Sequence, residues 1–256
     1  MKAWEANVRK VIPYTPGEQP DKENMIKLNT NENPYPPAPA VKRALELIDR
    51  DSLRLYPNPA ASKLLEALAW RYDVNENQVF VGVGSDDVLS IAFLTFFNSK
   101  KPILFPDITY SFYPVWADVY KVPYETRALN PDFSINAADY YGENGGVVFP
   151  NPNAPTSKYE DLSVVEDILC HNRDCVVIVD EAYIDFAGPS ALSLVPKYDN
   201  LLVVQTFSKS RALAGMRIGF AIGQPELIKA MNNVRYSVNS YTMSRPAIEE
   251  IGRAHV

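Results

Sequence analysis

Leu201-Leu202-Val203-Val204-Gln205-Thr206-Phe207-Ser208-Lys209-Ser210-Arg211-Ala212-Leu213-Ala214-Gly215-Met216-Arg217-Ile218-Gly219-Phe220 runs from an apolar strand into a polar loop and back into an apolar strand. An unbroken run such as Leu201–Val204 fits a strand covered on both faces, as in a mostly parallel sheet. A lysine at the tip of such a strand, flanked by hydroxyls, sits where its ammonium is disfavoured and its neutral amine becomes available as a nucleophile. On spacing alone Lys209 reads more readily as an ordinary surface lysine in a loop.

Outward from this stretch, further short apolar runs predict strands at Val79–Val83, Ile103–Phe105, Val147–Phe149, Val176–Val179 and Ile218–Ile222. Helical patterns alternate with them. Val41, Ala44, Leu45 and Ile48 recur at i, i+3, i+4, i+7. Leu64, Leu65, Leu68 and Tyr72 form a second face, with Ser62 as the expected N-cap. Asp86–Phe97 is apolar nearly all round, as a buried helix should be, and helices are also expected at Leu162–Leu169 and Glu226–Val234. The expectation is an α/β fold, a mostly parallel sheet sandwiched by helices, with ligands at the carboxyl ends of the strands. Asn29–Pro39 (NTNENPYPPAP) is too proline-rich for a helix or central strand. It reads as an extended arm with a surface-reading role, or as a linker.

The 256 residues carry a net charge of −6 with scattered Lys and Arg, which argues against a nucleic-acid partner. No apolar run is long enough for a bilayer, and Met1–Tyr14 lacks the core of a secretory signal, so no membrane partner is expected. Two cysteines, Cys170 and Cys175, are too few for a disulfide framework and point to a reducing cytosol. With His171 they form a Cys-His-x-x-x-Cys string. A structural zinc site wants four ligands and the only other histidine is His255, so no metal is predicted.

Asp180-Glu181-Ala182-Tyr183 follows the strand ending at Val179. A carboxylate at the tip of a buried strand needs a cation or a good donor. Alone, Asp180 reads equally as a helix cap or a metal ligand. Gly82-Val83-Gly84 alone is a poor dinucleotide signal, since the third glycine is missing.

Together these segments closely resemble the fold-type I, pyridoxal-phosphate (PLP) dependent aminotransferases, nearest to their histidinol-phosphate branch. Ser208 to Phe220 is similar to the segment that carries their cofactor lysine, including the interval of eight from Lys209 to Arg217. Asn31-Glu32-Asn33-Pro34-Tyr35, Arg54-Leu55-Tyr56-Pro57, Gly82-Val83-Gly84-Ser85-Asp86-Asp87, Asp107-Ile108-Thr109-Tyr110-Ser111-Phe112-Tyr113, Asn151–Ser157 and Asp180–Tyr183 resemble further motifs of that family, in the same order.

The resemblance implies that Lys209 holds PLP and shuttles the proton, Asp180 pairs with the pyridine nitrogen, and Tyr183 donates to the ring oxygen. Tyr110 is expected to stack on the ring. Ser85, Asp86, Ser208 and Arg217 are expected to take the phosphate at a helix N-terminus. Tyr56 is expected to reach the phosphate of a neighbouring subunit, which makes the protein a homodimer with a shared site. Asn31, Asn33 and Tyr35 are expected on the substrate side. The implied reaction exchanges an amino group between L-histidinol phosphate and 2-oxoglutarate, in histidine biosynthesis in the cytoplasm. An aromatic aminotransferase, a phosphothreonine decarboxylase or a non-catalytic PLP-binding fragment remain alternatives.

The sequence departs from the family pattern in three places. Ala154 stands where many members carry an Asn that contacts the ring oxygen, and Asn153 is the expected substitute. Ser157 replaces a glycine, which leaves that turn open. Members continue beyond residue 256 with a small domain bearing a substrate-binding arginine. Ile251–Val256 matches the read-through of a sequencing adapter, with a natural helix end as the alternative. The expected organisation is therefore an arm (1–38), a PLP-binding large domain (39–240), and a truncated connection with a foreign tail (241–256). The small domain is expected to be largely absent and turnover weak or nil.

Overall fold

The computed structural model describes residues 2–18 and 25–254, with the side chains of 250–254 outside that description. Of the suspected foreign tail, His255 and Val256 lie outside the described residues.

Seven α-helices and seven strands follow one another along the described chain: α1 (Pro39–Glu46), α2 (Ser62–Tyr72), β1 (Val79–Gly82), α3 (Ser85–Phe96), β2 (Ile103–Pro106), α4 (Phe112–Tyr120), β3 (Tyr124–Arg127), β4 (Gly146–Pro150), α5 (Leu162–Cys170), β5 (Val177–Asp180), β6 (Leu201–Thr206), β7 (Gly219–Gly223), α6 (Pro225–Val238) and α7 (Arg245–Ala254). The strands form one sheet in the order β1-β7-β6-β5-β4-β2-β3. β7 runs antiparallel to both of its neighbours, and the remaining pairs are parallel.

Period-two alternation sorts each strand onto two cores. Val177 and Val179 of β5, with Leu201 and Val203 of β6, face a core built with α2, α5 and α7. Ile178, Leu202 and Val204 face the opposite core, built with α3, α4 and α6. Burial of each such side chain contributes about 1.5–3 kcal/mol, so the tips of β5 and β6 are rigid platforms.

Several expectations are corrected. Ser62 is the first helical residue of α2 rather than its N-cap. That position is Ala61, buried at φ 50 without a side-chain cap, because the Ser62 hydroxyl accepts from Asn58 Nδ2 at 3.1 Å. α4 and β3 are additional elements. Pro114 falls in the first turn of α4, where backbone N–H groups lack helical partners anyway. β3 is an exposed edge strand without an apolar signal. Residues 241–254 include α7 (Arg245–Ala254). This helix packs on α1 and α2, and Met243, Ala247 and Ile248 enter the core. The Cys170 thiol meets Tyr198, whereas Cys175 lies against Asn144. Among the described residues no group of three His, Cys, Asp or Glu side chains is placed to hold a metal, and no helix is long and apolar enough to cross a membrane.

Candidate active site

β5 carries Asp180 to the rim of a cavity of about 570 Å³. The carboxylate is 4% exposed. Its Oδ2 accepts from the Tyr113 hydroxyl at 2.9 Å, and its Oδ1 accepts from the Ala182 N–H at 3.2 Å. Burial pushes its acid up to about 6, against the pull of these two donors.

The loop from β6 to β7 supplies the opposite wall. Arg211 pins it by donating to the Thr206 carbonyl at 2.7 Å, to Tyr72 Oη at 2.7 Å and to Gln205 Oε1 at 3.0 Å. The loop also closes on itself through Phe207 N–H to Ile218 O and Leu213 N–H to Phe207 O. So held, it presents Ser208, Lys209 and Arg217 to the same cavity as Asp180. Lys209 Nζ donates to the Thr30 carbonyl at 3.0 Å and stands 5.6 Å from the Tyr183 ring centre.

The third wall is the start of α3. Gly84 turns the chain into the helix at φ 85, and a Cβ there would collide with the Arg217 guanidinium. Gly219 packs so closely on Gly84 and Ser85 that a Cβ would strike their backbone. The first-turn N–H groups and the helix dipole make this end a seat for an anion. Arg217 pairs with Asp86 at 3.6 Å, and the Tyr110 hydroxyl donates to Asp86 Oδ1 at 2.8 Å. Burial, then the Asp86 charge, raises the Tyr110 phenol far above its ordinary value, so it stays neutral.

The structure thus brings Ser85, Asp86, Tyr110, Asp180, Tyr183, Ser208, Lys209 and Arg217 to one cavity. The arm is also there. Asn31 Nδ2 donates to Tyr183 Oη at 2.9 Å, and Asn33 Nδ2 donates to the Lys209 and Ser210 carbonyls at 3.1 Å each. Tyr35 is 76% exposed and outside the cavity wall, and its N–H donates to Asn33 Oδ1. Tyr56 is 78% exposed and away from this cavity. Its carbonyl accepts from Arg245 and its ring lies 4.7 Å from that of Tyr241. Asn153 is not in the cavity wall, and Ala154 is. The Asn153 amide donates to the Ile108 carbonyl and to Thr156 Oγ1 while its oxygen accepts from Thr109. Ser157 keeps the turn a glycine would favour, at φ 60.

Sequence reasoning passed over three participants. Thr30 anchors Lys209, Glu32 lines the cavity, and Tyr113 holds Asp180. Tyr113 lies one turn from Tyr110 in spacing, a signal usable only once α4 is recognised.

These groups fit PLP chemically. The glycine-lined cradle at α3, with two hydroxyls and Arg217, suits a phosphate. The buried Asp180 carboxylate suits a cationic ring nitrogen, and Lys209 offers a primary amine on the same cavity.

The profile "Aminotransferase class I and II" matches residues 23–254. Histidinol-phosphate aminotransferase 1 of Hydrogenovibrio crunogenus is 56% identical over 244 residues, 95% of this chain and 68% of that protein. The histidinol-phosphate aminotransferase of Lactococcus lactis subsp. cremoris is 52% identical over 252 residues, 98% of this chain and 70% of that protein. Among solved structures, histidinol-phosphate aminotransferase from Clostridium acetobutylicum superposes with a TM-score of 0.79 at 19% identity, over 88% of this chain and 68% of that one. The Sinorhizobium meliloti enzyme in complex with pyridoxal-5'-phosphate superposes with a TM-score of 0.78 at 24% identity, over 88% and 63%. These two share the fold.

Proposed function

The chain belongs to the class I and II aminotransferases, PLP-dependent enzymes, and from that premise we propose that it serves the transamination of L-histidinol phosphate with 2-oxoglutarate in histidine biosynthesis. The observation that carries this reading is the meeting of the Lys209 amine, the Asp180 carboxylate and the N-terminus of α3 on one cavity.

PLP supplies an electron sink for the charge left when a proton leaves the substrate carbon beside the nitrogen. The protein supplies the rest. Lys209 Nζ would hold the cofactor covalently through its amine. Freed by the substrate amine, it would be the base that takes the proton from the substrate carbon and gives it back to the carbon on the far side of the nitrogen. Asp180 accepts from the ring nitrogen and keeps it protonated. Tyr183 donates to the ring oxygen, and Tyr110 covers a ring face and excludes water. The Ser85 and Asp86 N–H groups, the Ser208 hydroxyl and the Arg217 fork hold the phosphate.

Asn31, Asn33 and Tyr35 on the 1–38 arm define the substrate side, and residues 39–240 form the cofactor-binding domain. Exposed Tyr56 completes the site of a second copy, so the working unit is a cytoplasmic homodimer.

Mixing the chain with PLP gives a shifted cofactor absorbance that is absent from Lys209→Ala. Amino transfer from L-histidinol phosphate to 2-oxoglutarate exceeds that from tyrosine, and O-phosphothreonine is not decarboxylated. An undiminished band in Lys209→Ala discards the cofactor assignment, and a preference for another amine discards the substrate.

A further inference from the structure

Tyr113 is a fully buried residue on the inner side of α4, with Phe93, Phe105 and Trp116 around its ring. A phenylalanine would fill that space equally well, so the hydroxyl needs its own explanation. A buried hydroxyl is costly unless bonded, and among the described residues its hydrogen-bond partner is Asp180 Oδ2, at 2.9 Å.

We propose that Tyr113 is a positioning residue whose O–H holds the Asp180 carboxylate ionised and aimed at the cavity. This rests on the reading of Asp180 as the partner of a cationic ring nitrogen. Tyr113 is not in the cavity wall, so it acts on a ligand only through Asp180.

Asp180 is gripped at both oxygens, by the loop N–H of Ala182 and by the phenol, and rotation about its side chain breaks one of these bonds. Burial and the charge of Asp180 raise the Tyr113 phenol well above its ordinary value, so it remains a donor throughout the working range. The surrounding charges divide. Asp86 on α3 disfavours ionisation of Asp180, and Glu181 is a second acid on its own segment. Lys209 and Arg217 line the cavity, as do the side chains of Tyr110 and Tyr183. Burial lifts Asp180 to about 6, and the Tyr113 bond is the first of the two donors that oppose it. Without that bond the acid stays protonated into the neutral range. A neutral carboxylic acid donates where an acceptor is required.

The decisive measurement is a 13C-carboxyl NMR titration of the chain without cofactor, with the Asp180 resonance assigned by its loss in Asp180→Asn. Tyr113→Phe raises the Asp180 midpoint by about one pH unit, roughly tenfold in acid dissociation. An unchanged midpoint overturns the proposal. Should Tyr113→Phe not fold, the unsubstituted chain still decides. The Tyr113 Cζ resonance follows the Asp180 midpoint, and that response disappears in Asp180→Asn. A Tyr113 signal indifferent to Asp180 overturns the proposal equally. Neither readout needs bound PLP, so failure of PLP to bind counts against the functional reading alone. Where PLP binds, the acid limb of its affinity–pH profile moves upward in Tyr113→Phe together with the Asp180 midpoint.

Discussion

Asp180 and Glu181 are consecutive acids at the end of β5, both nearly inaccessible, yet they serve two different regions of the molecule. On the cavity side, Asp180 meets Tyr113 and one loop N–H and lines an open space. On the other side, Glu181 accepts from Ser190 Oγ at 2.6 Å, from the Ala191 N–H at 2.7 Å and from Gln205 Nε2 at 2.9 Å. Burial raises both, to about 6 and about 7. The difference lies in what is left over. Glu181's oxygens are spent on the protein, and Gln205 links them to Tyr72 and to Arg211, which pins the Lys209 loop. Asp180 keeps acceptor capacity directed at the cavity. A buried carboxylate therefore marks a ligand site only when a void faces it.

The largest effect that tests this contrast is on activity. Asp180→Asn lowers turnover by roughly 10²–10³-fold, the scale of losing a preorganised electrostatic partner, with little change in Tm. Glu181→Gln leaves turnover near the starting level. Equal losses in both variants break the distinction.

Stability reads the comparison from the other side. Glu181→Ala strands the Gln205, Ser190 and Ala191 donors at about 1–3 kcal/mol, seen as a lower midpoint in urea. Asp180→Ala costs less because it strands two donors rather than three, the Tyr113 hydroxyl and the Ala182 N–H.

The pH dependence of stability sharpens the contrast further. Glu181 rises from its ordinary 4.5 to about 7 in the folded chain. Between those values the folded state retains a proton that the unfolded state releases. Its contribution is therefore complete below about 4.5 and is lost as pH rises through about 7, a decline of at most roughly 3.5 kcal/mol. Asp180 acts in the same direction from 3.8 to about 6. Urea midpoints across pH 4.5–8 show this decline, and Glu181→Gln flattens it. A slope unchanged by Glu181→Gln removes Glu181 as its source.

The smallest effect belongs to the arm. Asn33→Ala deletes the donor to the Lys209 and Ser210 carbonyls, worth about 1 kcal/mol, or a roughly fivefold rise in KM with the urea midpoint unchanged. A comparable fall in stability would place the arm with the scaffold.

The alternation of apolar strands with helical faces was legible because β4, β5 and β6 are buried on both sides and their residues must therefore be apolar. The lysine loop was legible from its contiguous motif. β3 was not, because an edge strand with exposed Tyr124, Glu125 and Thr126 carries no burial pattern. α4 was hidden by Pro114 and by an aromatic run that does not favour either period. Asn153 illustrates a finer limit. Its type suits a ring-oxygen donor, yet the turn commits its amide to Ile108 and Thr156.

By itself the sequence determined which residue types end the strands, because strand burial and loop chemistry are local properties of composition and period. Only the tertiary structure decided which of those ends share a cavity, which acid keeps free lone pairs, and that Thr30 and Tyr113 come from distant segments to hold Lys209 and Asp180. Hydrogen bonding between residues far apart in sequence depends on sheet order and register, and no local pattern encodes it.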